Sequence, residues 1–407
     1  MNRTNSHTRW QRVSAFIFVL IVGVLSSNAH CDENTNDIVL GMSTALTGPT
    51  ADVGINVKAG IEAALTEANQ RGGVRGQRLR LIAMDDGYEP ARTVINIRHL
   101  IEKENVLAIV GNAGTATAIS ALPIVNRSHV PFLFAYTGAG VLRRRPADRY
   151  VFNYRASYAE ETRAMVDAII EHTNIRPNEI AFFTQRDGYG DSGFNGGIDA
   201  LTSHGLASEN EIVHGRYKRN SLAIENALAE ILFHNVPPKA IIMIAAYAPS
   251  AKFIEMAKTY GYDGLFLSVS FVGALPLAET LGDAGDGVIV TQVVPHPKSA
   301  CSIAQQYRIA MDRYVHRDAG YCFGSFEGYI AGRIVLVALQ SDCYEGGRDE
   351  LVNTLEALEE FSIGLPEPLK LTHMRHQASH SVWPTVIRNR SIEPMEWADL
   401  AGGLADE

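Results

Sequence analysis

LAIVGNAGTATAISALPIVNRSHVPFLFAYTGAG, Leu107–Gly140, is the stretch whose reading decides the fold. It opens on an apolar run, Leu107–Val110, of the length expected for a buried parallel strand. A small-residue turn follows, Gly111–Thr117, and then a helical pattern over Ala118–Asn126. A second apolar run, Val130–Ala135, ends in another small polar turn, Tyr136–Gly140. The order is strand, turn, helix, strand, turn, with both turns at carboxyl ends of strands. Open α/β sheets bind ligands at those ends. The first turn offers free backbone N–H groups at a helix N-terminus, together with the hydroxyls of Thr115 and Thr117, a combination that favours a carboxylate or phosphate. The plainer alternative is that the small residues let the chain turn tightly and a Thr caps the helix.

Outward from this stretch the same grammar repeats. Upstream, strands are expected at Ile38–Met42 and Leu79–Met84, with helices at Val57–Asn69 and from Pro90 to about Lys103. Pro90 suits a first helical turn. Downstream, after the segment Tyr150–Arg155, strands at Ile180–Thr184, Ile212–Arg216, Ala240–Ile244 and Leu265–Val269 alternate with helices. Those helices are Glu160–His172, Ser192–Ser203, Leu222–Phe233 and Pro249–Tyr260. Alternation of this kind predicts βαβ units and parallel sheets, here in two units of similar size. After Gly287–Val293 the pattern turns mainly helical (Ile303–Val315, Phe326–Gln340, Glu350–Leu358), and a strand-like piece closes the chain at Val382–Arg388. These last helices either complete the first unit or form a third.

The chain has 407 residues and a net charge of −9. An acidic balance gives no electrostatic footprint for nucleic acid. Residues 1–29 have the three parts of a cleavable secretory signal: Arg3, Arg9 and Arg12, an apolar core at Phe16–Leu25, and Ser27-Asn28-Ala29 before the cut. Removing it takes the net charge to −12. Export makes disulfides available to Cys31, Cys301, Cys322 and Cys343, and at least one is expected among the last three. The triplet Arg143-Arg144-Arg145 reads as a solvated surface loop. His373, His376 and His380 form the one histidine cluster, and their Arg, Gln and Ser neighbours favour an exposed loop over a metal site. There is no Gly-x-Ser-x-Gly elbow, His-Glu-x-x-His or Gly-Lys-Ser/Thr phosphate loop, so neither an enzyme nor a cofactor is expected.

Several short pieces carry a family resemblance: Leu46-Thr-Gly-Pro49, Gly60-Ile-Glu-Ala-Ala-Leu65, Asn69 with Arg71-Gly-Gly-Val-Arg-Gly76, Asp85-Asp86, Val110-Gly111, Tyr189-Gly190 and Phe326-Glu-Gly-Tyr329. In their order and spacing the chain resembles periplasmic substrate-binding proteins of ABC importers, of the branched-chain amino-acid type. The resemblance implies two doubly wound α/β lobes with parallel sheets, joined by a three-crossover hinge near Asn153–Arg155, Thr291–Val294 and His376–Ser381. Lobe one would comprise residues 30–154 and 293–375, and lobe two residues 155–292 and 376–407. The partners implied are a small carboxylate, amino acid or amide and a membrane permease, with the protein itself a periplasmic monomer. A stand-alone sensor of the same fold is the alternative.

Carried over residue by residue, the resemblance places the ligand carboxylate at Thr115 and Thr117. The second turn of the pocket falls at Tyr136, Thr137 and Gly138. Tyr189 would close over the ligand from the second lobe, with Tyr247 a further contact there. Ser270 stands where amino-acid-binding members carry an acid for the ligand's ammonium group, and Val53 where some carry an aromatic wall. Both departures argue against an amino acid, unless Asp187 or Glu327 supplies the missing acid.

Overall fold

A computed structural model describes residues 37–315 and 321–402. The proposed signal segment and Cys31 lie outside the described residues.

The first sheet has five parallel strands in the order β2-β1-β3-β4-β5. They are β1 (Ile38–Thr44), β2 (Leu79–Asp85), β3 (Ala108–Val110), β4 (Phe132–Leu133) and β5 (Val151–Phe152). Helix α1 (Ala51–Gln70) links β1 to β2, α2 (Pro90–Glu102) links β2 to β3, and α3 (Thr115–Arg127) links β3 to β4. Strands β1, β3, β4 and β5 are almost wholly buried because helices cover both faces, whereas the edge strand β2 is partly exposed. Ile97 and Leu100 of α2 and Ala118, Ala121 and Val125 of α3 pack with Ile109, Phe132 and Val151 on one face. Leu40, Met42, Val110 and Leu133 belong to the core of the other face, beneath α1.

The second sheet runs β14-β13-β10-β9-β8-β6-β7. Its parallel strands are β6 (Ile180–Gln185), β7 (His214–Tyr217), β8 (Ala240–Ile244), β9 (Leu265–Ser268) and β10 (Ile289–Gln292). The intervening helices are α4 (Tyr158–His172), α5 (Gly188–Ser203), α6 (Glu225–Leu232), α7 (Tyr247–Thr259) and α8 (Ala274–Leu281). Ser157 caps α4 through a reciprocal box with Glu160. Strands β13 (Trp383–Arg388) and β14 (Ser391–Pro394) add antiparallel at one edge.

The late helices do not form a third unit. α9 (Ser302–Tyr314) and α10 (Phe323–Gln340) pack on α1 of the first sheet. Contact between α1 and α10 is backbone-close: a Cβ on Gly60 would sit 1.9 Å from the Ser325 carbonyl, and one on Gly328 2.2 Å from that of Val57. α11 (Arg348–Ala357) follows, then a short antiparallel pair, β11 (Glu359–Phe361) and β12 (Leu369–Leu371).

The chain passes between the sheets after β5, after β10 and after β12, and these three connections are bonded to one another. Asn153 N–H donates to the His376 carbonyl at 2.7 Å, and Ala378 N–H donates back to the Asn153 carbonyl at 2.9 Å. The Tyr154 hydroxyl reaches the Val293 carbonyl at 3.2 Å.

Three expectations are corrected here. Cys301, Cys322 and Cys343 are all free thiols, and Cys322 is buried. His376 is not on an exposed loop: it is buried and stacks on Phe152 with ring centroids 3.9 Å apart. Arg143 is not a solvated surface residue. Its guanidinium donates to the carbonyls of Thr137, Ala139 and Arg155 and to the Gln377 side chain, tying a strand-end turn to two of the connections. Burial and the neighbouring Arg155 cation pull its pKa down to about 10.

Candidate functional site

The two turns of the opening stretch lie side by side. Gly114 N–H donates to the Tyr136 carbonyl at 3.2 Å, and Tyr136 N–H to the Asn112 carbonyl at 2.9 Å. Gly114 has φ +106°, and a Cβ there would fall 2.1 Å from the Tyr88 ring, so only glycine fits. This brings Thr115 and Thr137 together, with hydroxyl oxygens 2.6 Å apart and both side chains fully buried. Thr117 turns the other way, donating to the carbonyls of Ala113 and Gly114 at 2.8 and 2.9 Å. Its hydroxyl proton secures the turn. Gly138 accepts the Tyr158 N–H at 2.8 Å, where the chain enters α4.

Tyr136, next to Thr137, belongs to an aromatic cluster drawn from both halves of the molecule. Tyr189, fully buried on α5, lies against Tyr158 (5.1 Å) and Phe271 (4.8 Å). Its hydroxyl donates to the Ala245 carbonyl. Phe271 also meets Tyr136 and Tyr88. Tyr247 stands apart at the start of α7, half-buried, where desolvation and the Asp52 carboxylate raise its pKa.

Below the rings is an ionic cluster that sequence reasoning did not assemble. Arg155 is completely buried. Its guanidinium lies 4.3 Å over the Tyr136 ring, a cation–π contact. Nη2 donates to Ser270 Oγ at 2.6 Å, and Nε stands 3.2 Å from Glu327 Oε1. Ser270 passes the chain of bonds to Glu161, also fully buried. Glu161 accepts from Ser270 N–H at 2.7 Å, Ser270 Oγ at 3.0 Å and Thr291 Oγ1 at 2.6 Å. Removing charges from water is costly unless they are paired, and the cluster shows how the cost is divided. Burial raises the pKa of Glu161, with Arg155 opposing. Burial likewise pushes Glu327 up to about 7, again against Arg155. For Arg155, the negative neighbours led by Glu327 outweigh burial and raise its pKa, so it stays charged.

The two acids considered as ammonium partners are both engaged. Asp187 caps α5 through Tyr189 N–H at 3.0 Å, accepts from Gln185 Nε2 at 2.8 Å, and lies 3.4 Å from Arg219. Glu327 faces Arg155. A cavity of about 20 Å³ remains beside the cluster, lined by Asp52, Val53, Tyr136, Ser270, Pro276 and Cys322. Among the described residues no cluster of His, Cys, Asp and Glu is arranged to hold a metal.

Arg155 and Glu161 had weak signals. Arg155 sits at the first expected crossover, a place that meets both sheets. Glu161 is in the first turn of a helix, where an acid is ordinarily a solvated complement to the helix dipole.

Two α/β sheets joined by three connections around a buried polar site define the type I periplasmic binding fold, and known proteins agree. A model of the periplasmic binding protein family matches residues 37–391, and the chain belongs to that family, in its Leu/Ile/Val-binding branch. The chain is 23% identical over 342 residues to Leu/Ile/Val-binding protein homolog 7 of Brucella abortus (strain 2308), covering 79% of this chain and 81% of that one. The crystal structure of a possible leucine/isoleucine/valine-binding protein from Rhodopirellula baltica SH 1 is 46% identical, with a TM-score of 0.87 over 90% of this chain and 98% of that one. A branched chain amino acid ABC transporter from Thermus thermophilus with bound valine shares the fold, at 17% identity and a TM-score of 0.76 over 91% and 100% of the two chains.

Proposed function

We propose that the protein is the solute-binding component of an ABC importer, exported through its N-terminal signal, and that it presents its ligand to a membrane permease. It binds rather than transforms a small carboxylate or amide between two lobes, residues 30–154 with 293–375 and residues 155–292 with 376–407. Thr115, Thr137 and the α3 N-terminus receive the carboxylate, Tyr136 and Ser270 line the chamber, and Tyr189 packs over it. Tyr247 belongs to the outer wall with Asp52. Thr117 and Gly138 shape the turns.

The observation that carries the ligand class is the cation at Ser270. An amino acid would bring an ammonium group next to a buried guanidinium, with Asp187, Glu161 and Glu327 all engaged. An unpaired buried charge is strongly unfavourable. The test is mass spectrometry of small molecules released from the purified protein, followed by titration of the acid found. Thr115→Val should then weaken that acid by about 1.5–3 kcal/mol, the usual worth of a hydrogen bond to a charged group. If the variant binds as well as the native protein, the carboxylate does not sit at Thr115.

A further inference from the structure

Arg155 has bonding capacity that the fold does not use. Nη2 bonds Ser270, but Nη1 and Nε have no hydrogen-bond partner among the described residues; Nε only lies near Glu327 without the geometry of a hydrogen bond. The side chain has no solvent exposure. Buried donors of charged groups are nearly always satisfied, and an unsatisfied one at a ligand site points to a ligand atom. The Tyr158 hydroxyl is a second such group. It approaches the Thr137 side chain yet completes no hydrogen bond in regular geometry. The guanidinium also makes the contacts a bound ammonium would make: an aromatic face at 4.3 Å, a serine hydroxyl at 2.6 Å and a carboxylate at 3.2 Å.

We propose that Arg155 is a specificity-determining ligand contact: it fills the cation position of the pocket with the protein's own charge and offers Nη1, with the Tyr158 hydroxyl as a second unsatisfied donor, to an oxygen acceptor on the ligand. The ligand class that fits is a 2-oxo acid, with its carboxylate at Thr115 and Thr137 and its oxo oxygen toward Arg155 and Tyr158. An amino acid of the same skeleton presents donors where acceptors are needed, and adds a second cation. This inference rests on the solute-binding reading above and deepens it. The cavity of about 20 Å³ reaches Tyr136 and Ser270 but not Arg155, Tyr158, Thr115 or Thr137, and it is too small for such a molecule, so binding requires the lobes to part.

The test uses the intact protein and two probes, leucine and its 2-oxo acid, read by thermal shift and calorimetry. The native protein should be stabilised by the 2-oxo acid and not by leucine. Arg155→Ala should weaken the 2-oxo acid by roughly ten- to a hundredfold, the equivalent of one charged hydrogen bond. It should also gain a response to leucine, because Tyr136, Ser270 and Glu327 are left as an empty cation site. That reversal of preference is what a merely structural arginine would not produce. If Arg155→Ala does not fold, Arg155→Lys keeps the cation but loses the fork. It should then remain unresponsive to leucine and still lose affinity for the 2-oxo acid. A native protein stabilised by leucine overturns the proposal and leaves the solute-binding reading intact. So does an Arg155→Lys protein that binds the 2-oxo acid as tightly as the native one. A native protein that answers to neither probe overturns the proposal and leaves the solute-binding reading, which names no single solute, intact.

Discussion

Glu327 is the residue whose ionisation the fold resists most visibly near neutral pH. It sits on α10, faced by Arg155 at 3.2 Å, with Glu161, Arg143, Tyr136 and Tyr154 in its field. Its folded pKa, about 7, lies above the ordinary 4.5. A raised acid binds its proton more tightly in the folded state. Its contribution is therefore complete below about pH 4.5 and is lost as pH rises through 7. At most the loss is on the order of 3 kcal/mol. His214 works in the opposite sense: burial lowers it to about 4, so it costs stability as pH falls below its ordinary 6.5. Comparing native protein with Glu327→Gln cancels that common term. Denaturant unfolding at pH 5, 6, 7 and 8 should show the native protein losing stability relative to the variant. Parallel curves would mean that Glu327 is ionised throughout. At this scale the sequence was partly legible. Thr115, Thr137, Tyr136 and Tyr189 stand out because strand-end turns are readable from small-residue clusters. Arg155 and Glu161 do not, because the residues that complete their cluster, Ser270, Thr291 and Glu327, lie more than a hundred residues further along the chain.

Among the elements, the contact between α1 and α10 decides where Glu327 stands. Gly60 and Gly328 let the two helices touch backbone to backbone. On helix propensity alone, Gly60→Ala should stabilise α1 by about 1 kcal/mol. The packing predicts the reverse, since the new methyl would meet the Ser325 carbonyl at 1.9 Å. Overpacking of this kind typically costs about 1–3 kcal/mol, and the sign of the change in melting temperature separates the two. Displacing α10 should also weaken binding of the retained solute, because Glu327 moves with it. The long helices were readable from period alone: Phe323–Gln340 and Tyr158–His172 differ from expectation by a few residues at their starts. α8, β11, β12 and β14 were missed. Each is short, and β11 and β14 are largely exposed, so neither a helical stripe nor an apolar run marks them. The disulfide expectation failed for a different reason. Compartment permits a disulfide, but geometry decides it, and Cys322 is instead folded into the N-terminus of α10.

For the whole molecule, the question is what holds the cleft shut. Several contacts cross its rim from the first sheet's loops to the second's. Arg219 bonds Glu89 at 2.9 Å and lies 5.9 Å from the Tyr88 ring. Asn220 donates to the Gly87 carbonyl and to Glu89 at 3.2 and 2.7 Å. Gln185 donates to the Tyr88 hydroxyl at 3.2 Å. These bonds exist only while the two sides are together, so they bias a hinge equilibrium that the ligand also biases. Arg219 makes none of the contacts assigned to the ligand, and its partners are partly exposed, so its share is modest, about 0.5–1 kcal/mol and sensitive to salt. Arg219→Ala should therefore lower the affinity for the retained solute by roughly two- to fivefold through the closed-state population alone. Small-angle scattering should report a larger radius of gyration for the ligand-free variant than for the ligand-free native protein. Saturating ligand should bring both to the same smaller value. In high salt the difference between the two proteins should shrink. If affinity falls while the scattering of the free proteins stays identical, Arg219 acts on the ligand directly and the rim does not govern closure.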